Sequence, residues 1–470
     1  MNILSEIIGR EAAQRGVLPF ARFMELALYC PVHGYYETKT DNTGRHGDFY
    51  TSVGVGELFG QLLAFQFAEW LETLDSQALA APKRSAGGSS LNLVEAGAHD
   101  GQLAKDILAW LQLKRPKLFE QIEYWVIEPS PRRQKWQKET LKNFAPRVRW
   151  FAGFQELVGR DSAYSGVAAT RLYAVKPAQP STLNPQLHGV IFSNELLDSM
   201  PVHRLGWDAK NKKWFEWGVA VDGEKFVWAR IPDTLAPQSG KRIPRTNSGF
   251  ELLNRGTVPG SAGVSPASSG FRLPTGRRDA GAPRRFMESA GARGFDPSSI
   301  LHLPSSLQAV LPDGYTIEIC PAAESWWREA AQVLGHGKLL TIDYGFTADE
   351  LFSPGRMHGT LRAYFRHHAS DDLLANVGVQ DLTAHVNFSE IQKVGEACGL
   401  VTETFSTQAQ FLTRILEKTL RGKSFGELVS PKPDGGGSED GWTSAQARQF
   451  QTLTHPEHLG RAFHVLVQSK

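Results

Sequence analysis

No stretch of this 470-residue chain comes near the eighteen or so consecutive apolar residues that a membrane-spanning helix needs, so the sequence carries no sign of a helical membrane protein. Cysteine is scarce. Cys30, Cys320 and Cys398 are far apart and odd in number, which excludes a disulfide framework and suits a reducing cytosol. The opening MNILSEIIGREAAQRG reads as a short amphipathic helix carrying Glu6 and Glu11, unlike a signal peptide or an acid-poor transit peptide, and the expectation is a cytoplasmic protein. Charge of one sign is lacking too: the net is +2, and ten Lys/Arg against four acids between Lys241 and Ile300 leave the rest of the chain at −4. A mildly acidic body argues against a protein that grips phosphate backbones, so neither nucleic acid nor membrane is an expected partner. No internal repeat is present. With 41% hydrophobic and 21% charged residues, the chain has the apolar content of a folded globular enzyme rather than of a disordered protein.

What is present is an alternation. The apolar runs LNLVEAG (91–97), IEYWVIE (122–128), VRWFAGF (148–154), GVIFSNE (189–195) and KLLTIDYG (338–345) are separated by helical patterns. Strands that are apolar on both faces predict a parallel sheet covered by helices on both sides. In the first crossover, Leu103, Ile107, Trp110 and Leu111 fall at helical spacing on one face. After the fourth run the alternation stops for some 140 residues, where Trp207, Trp214, Trp217 and Trp228 stand in short alternating segments that predict a partly β inserted lobe over the carboxyl edge of the sheet. Within it, about 236–300 is rich in Gly, Pro, Ser and Ala without apolar periodicity and reads as a disordered insertion.

The central chemical signal is Val94-Glu95-Ala96-Gly97-Ala98-His99-Asp100-Gly101-Gln102-Leu103, a strand entering a glycine turn and then a helix. Gly97 and Gly101 let the backbone approach a ligand, and the helix start offers free N–H groups, although such turns also serve helix–sheet packing. The dinucleotide spacing G-x-G-x-x-G is absent, and Glu95 at the strand end suits a cationic amino-acid tail better than a pyrophosphate. Glu128 ends the next strand, where a carboxylate can accept both hydroxyls of an adenosine ribose or can simply be solvated. Together the two acids describe an adenosine bearing an amino-acid tail. At the tip of the fourth strand, Glu195 and Asp198 can accept hydrogen bonds from an incoming amine or guanidinium and His203 can shuttle a proton, as in-line methyl transfer from a sulfonium would need. Asp198 as a helix cap and His203 as a structural histidine remain the alternatives. The spacing Cys30-Pro31-Val32-His33 lacks a second ligand pair, so no metal is expected.

These residues resemble the MidA-type methyltransferases, a family that includes the mitochondrial complex I assembly methyltransferase and bacterial relatives. The resemblance is carried by Gly47-Asp48-Phe49-Tyr50-Thr51-Ser52, Leu58-Phe59-Gly60, Glu95 to Leu103, Asn194-Glu195 through Pro201-Val202-His203, Ile342-Asp343-Tyr344-Gly345, Gly359 to Tyr364, Asp381 to Val386 and Gln410-Phe411-Leu412. The chain departs from the pattern at His99, where a second glycine is usual, at Val53 and at Leu196-Leu197. The resemblance implies an α/β fold: a doubly wound, seven-stranded, Rossmann-like class I methyltransferase sheet binding S-adenosylmethionine. It would have an N-terminal helical cap (1–80), the first part of the core (81–205), an inserted lobe (206–335) and the core's completion (336–470). It further implies that Asp48, Phe49, Thr51 and Ser52 help enclose the cofactor, with Glu95, Gly97 and Gly101 under its methionine part and Glu128 on its ribose, and that Asp100 and Asn194 also belong to the cofactor site. The functional expectation is methyl transfer to an arginine of a partner protein, with a homodimer left open. The alternative is a catalytically weak assembly factor or binding protein that keeps the fold, while the missing G-x-G-x-x-G sets aside a nicotinamide oxidoreductase.

Overall fold

The computed structural model describes residues 2–38, 51–80, 91–157, 187–232, 310–366, 368–421 and 442–470. The insertion expected at about 236–300, and Asp48 and Phe49, lie outside the described residues. All the described residues except Pro232 belong to one unit, Met1–Ile231 with Pro297–Lys470.

Seven strands form the path of the eight-stranded main sheet, β1 Leu91–Ala96, β2 Ile122–Ile127, β3 Val148–Phe151, β4 Leu187–Asn194, β5 Leu334–Phe346, β6 Val401–Thr407 and β7 Phe463–Ser469, and the two-residue strand Val386–Asn387 pairs parallel with the end of β5. They lie in the order β6-β7-β5-β4-β1-β2-β3. The five-strand block β5-β4-β1-β2-β3 is parallel throughout, and β7 runs antiparallel between β5 and β6. Each residue of β1 is buried. Leu91 and Leu93 enter one hydrophobic cluster while Val94 and Ala96 enter the other, as the two-residue period of a strand requires. This is why the apolar run could not alternate with polar residues: both faces are interior.

One face is covered by the helices Leu58–Ala80, Gln102–Lys114 and Gln408–Arg421. Leu103, Ile107, Trp110 and Leu111 are all buried there, on the stripe that their spacing predicts. The first of these helices runs unbroken from Leu58 to Ala80, with no proline before Pro82. The other face is covered by Pro321–Val333 and Phe388–Ala397, which contribute Trp326, Trp327, Ile391 and Val394. The third expected strand is shorter than its apolar run: it ends at Phe151, and Phe154 already begins a helical turn.

A second sheet is wholly antiparallel. His203–Asp208 pairs with Thr316–Ile319 on one side and with Lys213–Asp222 on the other, and the latter also pairs with Leu18–Pro19 and Lys225–Arg230. The helices Ile3–Arg15 and Phe20–Tyr29 pack against it through Ile8, Phe20, Phe23 and Met24, in a cluster that reaches Val219 and Leu382. A small third sheet, His368–Ser370, Arg362–Phe365 and Asp381–Thr383, closes the same region.

Candidate active site

The chain leaves β1 toward β2 on one side and β4 toward β5 on the other, so the sheet's order reverses between β1 and β4. Ligands of open α/β sheets bind in the crevice outside such a switch point, beyond the carboxyl ends of the strands. Of the residues singled out from the sequence, Glu95, Glu128, Asn194, Glu195 and Asp198 stand at or just beyond those ends.

After β1 the backbone turns sharply. Gly97 and Gly101 take φ of +75° and +89°, and His99 between them takes +45°, a left-handed conformation that a side chain tolerates at a cost. A β-carbon at Gly97 would lie 2.8 Å from the Leu196 side chain, so the turn is closed against the tip of β4. The Asp100 carboxylate accepts the Gln102 N–H at 3.1 Å and caps the following helix from an exposed position. Glu95, 2% exposed, accepts the Tyr124 hydroxyl at 2.8 Å. Burial pushes its pKa up to about 8 against that hydrogen bond. Glu128, at the end of β2, is 1% exposed and accepts the Ser130 N–H at 2.9 Å and the Gln137 amide at 3.2 Å, and the Arg133 guanidinium stands 2.9 Å away.

The tip of β4 carries the densest chemistry. Glu195 adopts φ +51° and its N–H bonds the Ile342 carbonyl in β5 at 2.9 Å. Its Oε1 accepts the Ser52 N–H at 3.1 Å and the Asn194 amide at 3.0 Å. Although the residue is partly exposed, its carboxyl lies deep enough that burial raises its pKa to about 8. Asp343 in β5 is fully buried. Its Oδ2 accepts the N–H groups of Leu196 and Leu197 at 3.1 and 2.8 Å and thereby fixes the turn after β4, while burial raises its pKa to about 7. Asp198 is buried, and desolvation first, then the neighbouring Asp343, Asp381 and Glu195, hold its pKa far above the usual carboxylate range. Asp381 in turn receives the Tyr36 hydroxyl at 2.9 Å. Among the described residues, no Lys or Arg pairs with Glu195, Asp198 or Asp343; the charges that act on them are those of other acids, one another's and Asp381's.

Thr51 and Ser52 reach this cluster from the loop before helix Leu58–Ala80. Thr51 caps its own turn by accepting the Gly54 N–H at 2.9 Å, and the fully buried Ser52 hydroxyl donates to Gln408 at 3.0 Å, so Ser52 presents its N–H to Glu195 from a fixed position. His203 opens the strand His203–Asp208 of the second sheet. Its Nδ1 meets Glu216 Oε1 at 2.6 Å across that sheet, a pairing that fits the structural alternative. Sequence reasoning passed over Asp343, Asp381 and Tyr36. The signal for Asp343 was an acid inside the apolar run KLLTIDYG, where only a bonded carboxyl is tolerated.

A doubly wound sheet with acids at neighbouring strand tips and a glycine turn beneath them is the arrangement of Rossmann-like nucleoside-binding proteins. The chain belongs to the family described as "Putative S-adenosyl-L-methionine-dependent methyltransferase", whose profile matches residues 62–406. It is an enzyme of that class, and S-adenosylmethionine is its cofactor. It is 25% identical to "Protein arginine methyltransferase NDUFAF7, mitochondrial" of Danio rerio over 81% of this chain and 68% of the relative. It is 26% identical to the Drosophila melanogaster homolog over 82% and 68%. In fold it is similar to a "likely methyl transferase" from Burkholderia thailandensis solved with S-adenosyl-homocysteine, at a TM-score of 0.65 and 24% identity over 99% of this chain and 92% of that one. The expected cytoplasmic location is overturned by the relatives, which are named mitochondrial. Scarce cysteine does not single out the cytosol.

Proposed function

We propose that this enzyme methylates an arginine side chain of a partner protein, with Glu195 and Asp198 holding the acceptor. The observation that carries the reading is the set of buried carboxyls, Glu195, Asp198 and Asp343, crowded at the switch point with no described cation against them. Burying like charges together is costly, and a planar cation with several N–H donors relieves it. The relatives' names as arginine methyltransferases agree with that acceptor.

The cofactor fits the residues present. Among the described residues Asn194 Oδ1 is buried without a partner beside Glu195, an acceptor left for a ligand donor. Glu95, Gly97, Gly101 and Asn194 would hold its amino-acid part and Glu128 its ribose, with Ser52 and Thr51 in the loop alongside; the bound group supplies an activated methyl. The protein's own part is positional and protolytic. Glu195 and Asp198 accept N–H bonds from the guanidinium and aim its remaining nitrogen. The Glu195 carboxyl, raised to about 8 by burial and ionised once the cation stands beside it, can take the proton that this nitrogen sheds as it is methylated.

Radiolabelled methyl from S-adenosylmethionine should appear on arginine in a protein of a cell lysate treated with the enzyme. Glu195→Gln should abolish this while S-adenosyl-homocysteine still binds with a Kd within about threefold of the parent. Undiminished labelling by the variant would remove Glu195 from this role, and label on another residue type would overturn the acceptor.

A further inference from the structure

A carboxylate offers about four lone-pair sites. In Glu128 three already face protein donors: the Ser130 N–H and the Arg133 guanidinium at Oε1 and the Gln137 amide at Oε2. A ribose diol brings two more donors, so one protein donor has to leave. Two of the three are pinned. Ser130 donates from the backbone at the head of helix Pro131–Thr140, and the fully buried Gln137 is tied at both ends of its amide, to the His99 carbonyl at 3.0 Å and to the Trp150 indole N–H at 3.0 Å. Arg133 alone has somewhere to go. Its Nε stands 3.9 Å from Glu37 Oε1, and its guanidinium lies over the Tyr29 ring with 5.8 Å to the centroid. Glu37, 7% exposed, is held in place through its other oxygen by the Ser130 hydroxyl at 2.8 Å.

We infer that Arg133 is a positioning residue for cofactor binding, a displaceable placeholder that keeps Glu128 oriented until the ribose arrives and then transfers to Glu37 and the face of Tyr29. This rests on the reading of Glu128 as the ribose acceptor. The transfer reaches the acceptor side of the site as well. Tyr29 donates its hydroxyl to Ser199, at 2.9 Å from Oγ and 3.0 Å from the carbonyl, and Ser199 follows Asp198 in the chain. Drawing Arg133 against Tyr29 and Glu37 therefore settles the N-terminal segment that carries Tyr36, whose hydroxyl bonds Asp381.

The test is a double-mutant cycle read by calorimetric titration with S-adenosyl-homocysteine. Glu37→Gln removes the charged destination, and the Kd should rise roughly tenfold, the size of one lost charge-assisted hydrogen bond. In an Arg133→Met background, the same Glu37→Gln change should leave the Kd unaltered, because no cation needs relocating. A Glu37 that merely supports the fold would weaken binding equally in both backgrounds, and that result overturns the inference, as does a Glu37→Gln variant that binds like the parent. Should Arg133→Met not fold by circular dichroism, Arg133→Gln runs the same cycle with a neutral side chain of retained polarity. Glu128→Gln, titrated in parallel, separates the two ideas: if it binds as the parent does, the ribose assignment has failed; if it binds weakly while the cycle is additive, only the placeholder has failed.

Discussion

Glu195 sits at φ +51° on a residue that carries a long side chain, a conformation costing on the order of 1 kcal/mol or more, and its neighbours enforce it through the Ile342 carbonyl and the Ser52 N–H. Strain kept at a strand tip is the mark of a side chain being aimed. Glu195→Gly should therefore unfold in urea within about 1 kcal/mol of the parent, since glycine relieves the strain while loosening the unfolded chain, yet lose methyl transfer by a hundredfold or more. A variant that is both stable and active would mean the strain serves nothing. The turn after β1 responds in the opposite way. Gly97→Ala adds a carbon 2.8 Å from Leu196 at a φ of +75°, and we expect it to cost about 1–3 kcal/mol and to weaken S-adenosyl-homocysteine binding, with Leu196→Ala restoring part of both. His99 was legible in the sequence as an oddity of this turn. Its meaning was not, because the sequence cannot show that His99 takes φ +45° and the glycines beside it take the rest of the bend.

Among the elements, what the sequence made legible followed from periodicity. The five parallel strands and the stripe of helix Gln102–Lys114 are local patterns, visible wherever both faces or one face must be apolar. Ile107 lies fully buried on that stripe, and Ile107→Ala should lower stability by about 2–5 kcal/mol, shifting the urea midpoint without changing the slope. An effect below 0.5 kcal/mol would mean the helix does not pack on the sheet as described. β6 and β7 were not read as strands, since VTETFST is partly exposed at the sheet's edge and its pairing partner lies some sixty residues further along the chain. The acid cluster was hidden for the same reason. Asp198, Asp343 and Asp381 come from three distant segments, and only the pairing of β4 with β5 and the return of Ala384 N–H to the Asp198 carbonyl bring them together.

At the scale of the whole molecule these carboxyls set how stability depends on pH. Glu95 and Glu195 have pKa values raised to about 8 and Asp343 to about 7, against 4.5 and 3.8 for the free groups, in each case chiefly because burial disfavours the charge. Between those limits the folded protein binds protons that the unfolded chain has released, so stability is greatest below the unfolded pKa and is lost as pH rises through the folded ones. His385 acts oppositely: burial depresses it to about 4, so the unfolded chain binds the extra proton, but only below its ordinary 6.5. The carboxyls therefore dominate from pH 6.5 to 8, and across that window the ligand-free enzyme should lose on the order of 1–3 kcal/mol in urea unfolding. Glu195→Gln, which cannot ionise, should flatten the slope. A cationic acceptor needs these groups charged, so kcat/KM for an arginine peptide should climb over the same range in which the empty fold weakens. If stability instead rises or stays level between pH 6.5 and 8, the carboxyls are already ionised in the folded protein and the acceptor pocket is not built from neutral acids awaiting a cation.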